Sequence, residues 1–139
     1  MKNTTLCYIE NDGAYLMMHR VKKKNDMNHD KWIGVGGKFE DKESPEDCIL
    51  RECYEETGLT LTSIHTILPD SFNCVGITNE KSCVILGTAE GEFAKSTSDE
   101  EEIECRWYTR EEVRRLIREE AFSARVQMFC YFWSHADRT

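Results

Sequence analysis

Residues 44–57 constrain this chain more than any other stretch. Ser44-Pro45-Glu46-Asp47 reads as a helix start. Ser44 is the N-cap, Pro45 takes the first helical position, and Asp47 stands three residues after the cap, like a capping box with Asp in place of Glu. Gly58 supplies the left-handed stop. At 100° per residue, with Glu52 set at 0°, Glu56 falls at about +40° and Glu55 at about −60°. The carboxylates therefore share an arc of about 100° on one helix face. Ile49, Cys53, Leu50 and Tyr54 lie between about +60° and +200° and form the expected buried stripe, so the acidic face borders the core.

Such a face is unfavourable on its own. Like charges at i,i+3 and i,i+4 cost a few tenths of a kcal/mol each even when exposed, and partial burial raises the cost. A cation resolves the conflict, and hard carboxylate oxygens at this density suit Mg²⁺ or Mn²⁺ rather than zinc. Arg51, one turn before Glu55, orients or partly neutralises the cluster. A solvated acidic face would carry the same glutamates. The residues upstream weigh against that reading. Gly36-Gly37 precede the helix by the short loop Lys38-Phe39-Glu40-Asp41-Lys42-Glu43. Glycines let the backbone approach an anion closely and expose carbonyls to a metal. Lys38 is either a phosphate-binding cation or an ordinary surface lysine.

Gly37, five residues, Glu43, seven residues, then Arg51-Glu52-Cys53-Tyr54-Glu55-Glu56-Thr57-Gly58-Leu59 resembles the Nudix box, G-x5-E-x7-R-E-U-x-E-E-x-G-U. All seven fixed identities are present, and Cys53 stands where an aliphatic residue is usual. Cysteine is small and apolar, so the buried role is kept. Seven such matches arise by chance on the order of 10⁻⁸ per start position.

The resemblance implies an α/β/α sandwich with a mixed sheet between helices, in one Nudix domain over residues 1–139 with its box at 37–59. It also implies Mg²⁺-dependent hydrolysis of a nucleoside diphosphate linked to a further group, with Mn²⁺ able to substitute. Carried over by position, Glu52, Glu55 and Glu56 are metal ligands, Glu52 is also a candidate base, and the Gly36 carbonyl is a further ligand. Glu43 and Arg51 brace the loop and helix. A loop glutamate after the box often joins the set in this family. Among Asp99-Glu100-Glu101-Glu102 the expected one is Glu102, whose E-x4-W spacing to Trp107 resembles MutT-type members. The alternative for that run is a solvated acidic loop.

The rest of the chain agrees with one mixed α/β domain. A length of 139 residues suits a single domain with a sizeable core. Asn11-Asp12-Gly13 between apolar runs predicts a hairpin joining strands 3–9 and 14–20. Further strands are expected near 60–68, 72–77, 82–90 and 103–108. Thr109-x-x-Glu112 opens a second helix to about Glu120, and a third is expected over 123–133, its aromatics serving as core or as a dimer surface. The net charge of −8, from 18 basic and 26 acidic residues, argues against a polymeric nucleic-acid partner. The seven cysteines are scattered, odd in number and show no C-x-x-C pair, which argues against a zinc or disulfide framework and points to reduced thiols. With no apolar leader and no membrane-length apolar run, the expected location is the cytoplasm.

For the substrate, His19-Arg20 and Lys31-Trp32-Ile33-Gly34-Val35-Gly36-Gly37-Lys38 resemble MutT-type 8-oxo-dGTP diphosphatases, which release a nucleoside monophosphate and pyrophosphate. Arg20, Lys22, Lys23, Lys24 and Lys38 are candidates for the polyphosphate. Trp32, Phe72 and Trp107 are candidates for stacking on a purine, with the core as the alternative place for each. An ADP-ribose or nucleotide-sugar pyrophosphatase is the competing enzyme reading. It is disfavoured because Asn73 and Cys74 stand where those members often carry proline. A catalytically silent nucleotide-binding module is the competing non-enzyme reading, disfavoured by the intact glutamate set. Residues 69–80 are expected to shape specificity.

Overall fold

A computed structural model of the chain describes residues 3–20, 31–94 and 103–136. Its elements are β1 (Asn3–Asn11), β2 (Ala14–Arg20), β3 (Lys31–Ile33), α1 (Pro45–Thr57), β4 (Thr60–Ile67), β5 (Ser71–Phe72), β6 (Lys81–Glu90), β7 (Ile103–Thr109), α2 (Arg110–Glu119), β8 (Ala121–Phe122) and α3 (Ala124–His135). They fall into two compact units. One comprises residues 1–10 and 35–94, the other 11–34 and 95–139. Both combine strands with helix, as a mixed α/β chain requires.

The first unit is built on β6. It pairs in parallel with β1, from Asn3↔Lys81 to Ile9↔Gly87, and antiparallel with β4 and the two-residue β5. Cys7, Ile9, Cys83, Ile85 and Ala89 supply buried side chains from the two central strands. The segment 35–38 runs antiparallel to β1, bridging at Cys7↔Val35 and Thr4↔Lys38. The Cys7 and Thr5 amides donate to Val35 O at 2.7 Å and Gly37 O at 2.8 Å. Gly36, between them, therefore turns its own N–H and C=O away from β1.

α1 begins and ends as its sequence dictates. The Asp47 amide donates to Ser44 Oγ at 3.1 Å, and Pro45 occupies the first turn. Gly58 stops the helix at φ +82°, its N–H donating to Tyr54 O. A Cβ there would lie 2.4 Å from Ala94 N, so the position also demands glycine for space. The buried face of α1 is Cys48, Ile49, Cys53 and Thr57. This corrects the expected stripe, because Leu50 is 39% and Tyr54 63% exposed. The buried arc runs from Cys48 through Ile49 and Cys53 to Thr57, and the angles of Glu52 and Glu56 fall inside it.

In the second unit β2 is flanked by β7 and β3, both antiparallel, and β3 pairs in parallel with β8. Asp12 and Gly13, before β2, both adopt positive φ (46° and 78°), as a type I′ turn requires. α2 opens on a complete capping box between Thr109 and Glu112. Arg110 lies over the Trp133 ring at 4.2 Å and donates to the Trp133 carbonyl, and Arg114 Nε donates to Ser134 O at 2.8 Å. Two arginines thus serve the last carbonyls of α3, where the helix dipole favours positive charge. The third helix divides its aromatics. Trp133 is buried with Val126 and Cys130, whereas Tyr131 and Phe132 are exposed.

The expected strand over 72–77 is corrected to β5 at 71–72 followed by a turn. The Ile77 and Thr78 amides both donate to Cys74 O, and Gly76 takes φ +87°. Val75 and Ile77 are consequently more than 80% exposed (85% and 82%). All seven cysteines are free.

Candidate active site

The site is organised by Arg51. Its Nε and Nη2 both donate at 2.8 Å to the two oxygens of Glu43. Nη1 donates to Glu52 Oε1 at 2.8 Å and to Glu55 Oε2 at 3.1 Å, and Nη2 also donates to Lys38 O at 3.1 Å. All the N–H groups a guanidinium owns are therefore directed at oxygen acceptors. Glu40 adds an ion pair to Nη1 at 3.6 Å. The grip on Glu43 is bidentate, the strongest carboxylate geometry available to arginine.

Glu43 is fixed from both sides, because its Oε1 also accepts the Glu40 amide at 2.7 Å. The hydrogen bonds from Arg51 first, and then that from the Glu40 amide, hold its carboxyl well down, at about 2. The same pairing raises the Arg51 guanidinium above its ordinary range. The Glu43, Glu52 and Arg51 side chains are only 14%, 16% and 21% exposed, whereas that of Glu55 is 57% exposed.

Glu56 is held separately. Its Oε1 accepts the Gly36 amide at 3.1 Å, the N–H turned away from β1. The Gly36 carbonyl lies on that same edge of the extended segment. Gly37 forms a floor for Glu52, and a Cβ there would lie 2.3 Å from Glu52 Cδ and 2.5 Å from Oε1. The double glycine thus has two separate reasons. Gly36 meets β1, where a Cβ would strike Thr5 O at 2.1 Å, and Gly37 meets the carboxylate.

Charge arithmetic describes what this arrangement can accept. One guanidinium faces Glu40, Glu43, Glu52 and Glu55, which leaves three negative charges in excess before Glu56 is counted. The donors are all oxygens, the set that suits a hard divalent cation. Among the described residues no three acidic, His or Cys side chains already converge as a metal cage. Glu52 and Glu55 are turned to Arg51, and Glu56 to Gly36.

Arg51, Glu52, Glu55, Glu56, Gly36 and Lys38 are thus brought together within the first unit, with the Lys38 side chain exposed. Phe72, in the same unit, is 55% exposed, with Lys81 Nζ 5.0 Å from its ring centre. Arg20 ends β2 and Trp32 lies in β3, both in the second unit. Trp32 is 5% exposed and stacked between His19, at 4.3 Å, and Phe122, at 5.8 Å. Both its faces are covered, so the structure places it in the core and offers no face of it to a purine. Trp107 is half-buried on β7, opposite Leu16. Glu102 and Lys22, Lys23 and Lys24 lie outside the described residues. Sequence reasoning singled out the Gly36 carbonyl but missed the Gly36 N–H as the anchor of Glu56. No local signal marks a backbone amide for that role.

A family model described as NUDIX domain matches residues 2–129. An oxidized purine nucleoside triphosphate hydrolase of Danio rerio is 32% identical over 99 residues, 71% of this chain and 62% of the relative. The protein of the same name from Mus musculus is 31% identical over 91 residues, 66% of this chain and 57% of the relative. The chain thus spans about three fifths of the length of these curated relatives. Two solved structures share the fold. A MutT NUDIX hydrolase from Burkholderia pseudomallei has a TM-score of 0.68 at 20% identity, covering 94% of this chain and 95% of its own. A MutT protein from Bacillus halodurans has a TM-score of 0.68 at 23% identity, covering 99% and 85%. With Glu43, Glu52 and Glu55 gathered on Arg51, Glu56 on the Gly36 amide, and the match running nearly end to end, the chain belongs to the Nudix family.

Proposed function

We propose that this chain is a Nudix pyrophosphohydrolase that cleaves a nucleoside triphosphate carrying an oxidised purine, of the 8-oxo-dGTP kind, to the monophosphate and pyrophosphate. The observation that carries the reading is the Arg51-centred cluster, an intact carboxylate set with excess negative charge on the Nudix helix. The names of the curated relatives support the substrate class. The family model over residues 2–129 supports treating 1–139 as one Nudix domain.

Nudix hydrolases use divalent metal ions. The oxygen-only donors here fit Mg²⁺, with Mn²⁺ able to substitute. Glu52, Glu55, Glu56 and the Gly36 carbonyl would hold it, with Glu102 as a further ligand. Bound there, the ion would neutralise phosphate oxygens and lower the pKa of water. The chain's own residues do the rest. Glu52, resting on Gly37, is the proposed base for the attacking water. Arg51 keeps Glu52 and Glu55 oriented while Glu43 holds Arg51 in turn. Lys38 and Arg20 are proposed to meet the polyphosphate, and the exposed ring of Phe72 to meet the purine. A cytoplasmic setting accords with seven free cysteines. No described helix is long and apolar enough to cross a membrane.

The test is a Mg²⁺-dependent hydrolysis panel of 8-oxo-dGTP, ordinary nucleoside triphosphates, ADP-ribose and nucleotide sugars, with products separated by chromatography. Preference for 8-oxo-dGTP with release of pyrophosphate is expected. Preference for ADP-ribose, giving AMP and ribose phosphate, would overturn the substrate assignment, and silence across the panel would overturn the activity. Glu56→Gln should nearly abolish turnover with the cooperative melt retained, and near-normal rates would remove Glu56 from the ligand set.

A further inference from the structure

Two buried polar side chains, Thr5 on β1 and Cys48 on α1, meet under the Gly37 peptide. Thr5 is 3% and Cys48 0% exposed, and Arg51 Nη2 donates to Cys48 Sγ at 3.9 Å. Thr5 Oγ1 lies 3.4 Å from Cys48 Sγ and 3.3 Å from Gly37 O, the carbonyl that the Thr5 amide already engages at 2.8 Å. Cys48 Sγ is 3.9 Å from Gly37 O and 3.7 Å from Lys38 O. Each side chain has one hydrogen to give. The set is satisfied when the thiol donates to the hydroxyl, the hydroxyl donates to the Gly37 carbonyl, and the sulfur accepts from Arg51 Nη2.

Valine would fill the space of Thr5 and keep its backbone bond to Gly37. What threonine adds is the hydroxyl, and burying a hydroxyl is costly unless it is used. Its acceptor is the peptide whose glycine Cα supports the Glu52 carboxylate. The same peptide leads into Lys38 O, which Arg51 engages. A small shift of this floor moves Glu52 and the guanidinium together.

We propose that Thr5 and Cys48 are positioning residues that fix the height of the Gly37–Lys38 peptide beneath Glu52, and so set the metal affinity of the acidic face. The inference rests on the metal-site reading above. Second-layer partners of this kind change metal affinity by about tenfold or more when removed.

The test uses the whole chain and Mn²⁺ as probe, with free ion read by electron paramagnetic resonance and nucleotide kinetics measured alongside. Thr5→Val should melt cooperatively, bind Mn²⁺ about tenfold more weakly and lose kcat, while KM for nucleotide stays within about twofold. Thr5→Ser should restore both affinity and kcat. Unchanged Mn²⁺ affinity in Thr5→Val, or a Thr5→Ser variant as impaired as Thr5→Val, would overturn the proposal. If Thr5→Val does not fold, Cys48→Ala decides: weakened Mn²⁺ binding supports the pair and wild-type binding overturns it. A wild type that binds Mn²⁺ yet hydrolyses no nucleotide would overturn the proposed activity alone. A wild type that binds no Mn²⁺ would overturn the metal reading and this inference with it.

Discussion

Glu43 works as the fixed end of a lever. It makes a bidentate pair with Arg51 and accepts the Glu40 amide, so its charged form is favoured three times over. Its carboxyl is lowered from an ordinary 4.5 to about 2, the Arg51 hydrogen bonds being the largest cause. A depressed carboxyl contributes stability that is complete above the unfolded value and is lost as pH falls through the folded one. The window therefore runs from about 4.5 down to about 2. Glu43→Gln should melt below wild type at neutral pH. The gap should narrow as pH drops below 4.5 and close near 2, as melting curves across that range would record. A gap independent of pH would show that the side chain acts by shape and not by charge. The box spacing made this residue visible in the sequence. The Gly36 amide that holds Glu56, and the Thr5–Cys48 pair, were not visible there, because they depend on which strand lies against 35–38, and no local pattern encodes that.

At the scale of elements, legibility followed the strength of end signals. α1 and α2 lie where Ser44-Pro45-x-Asp47 and Thr109-x-x-Glu112 put them, because caps are local chemistry. The ten-residue β6 was readable from its long apolar run. β8, two residues long, carries no period at all and exists only through its pairing with β3. The apolar run 72–77 resembled a strand by composition, but Gly76 and the doubly used Cys74 carbonyl turn it outward. On α1 the wheel gave too much weight to Leu50 and Tyr54. The packed face is Ile49 with Cys48, Cys53 and Thr57, and its arc takes in Glu52 and Glu56. The α2 cap offers a clean test of the local argument. Thr109→Ala removes the acceptor of the Glu112 amide and should cost about 1 kcal/mol, or roughly 4 °C in Tm for a chain of this size. Turnover below the melt should be unchanged, since Thr109 belongs to no part of the proposed site. A Tm within a degree of wild type would show that the tertiary contacts of α2 make the cap redundant.

For the whole molecule the governing imbalance is charge. The chain carries −8 overall, and a disproportionate share is concentrated on and around α1. Glu55 and Glu56 stand in the last turn of that helix, where the macrodipole is negative and the turn itself holds no basic residue. Arg51 relieves part of this, yet one guanidinium meets Glu40, Glu43, Glu52 and Glu55. Folding therefore assembles like charges that the unfolded chain keeps apart, and a divalent cation that binds only the folded form recovers that cost. By mass action, free Mg²⁺ at a hundred times its dissociation constant adds about 2.7 kcal/mol to stability. Melting curves of the nucleotide-free chain should accordingly rise by several degrees on titration with Mg²⁺, and rise much less for Glu56→Gln. An equal rise in both would place the ion elsewhere on the acidic surface. No rise in the wild type would count against a cation site preformed on the free chain.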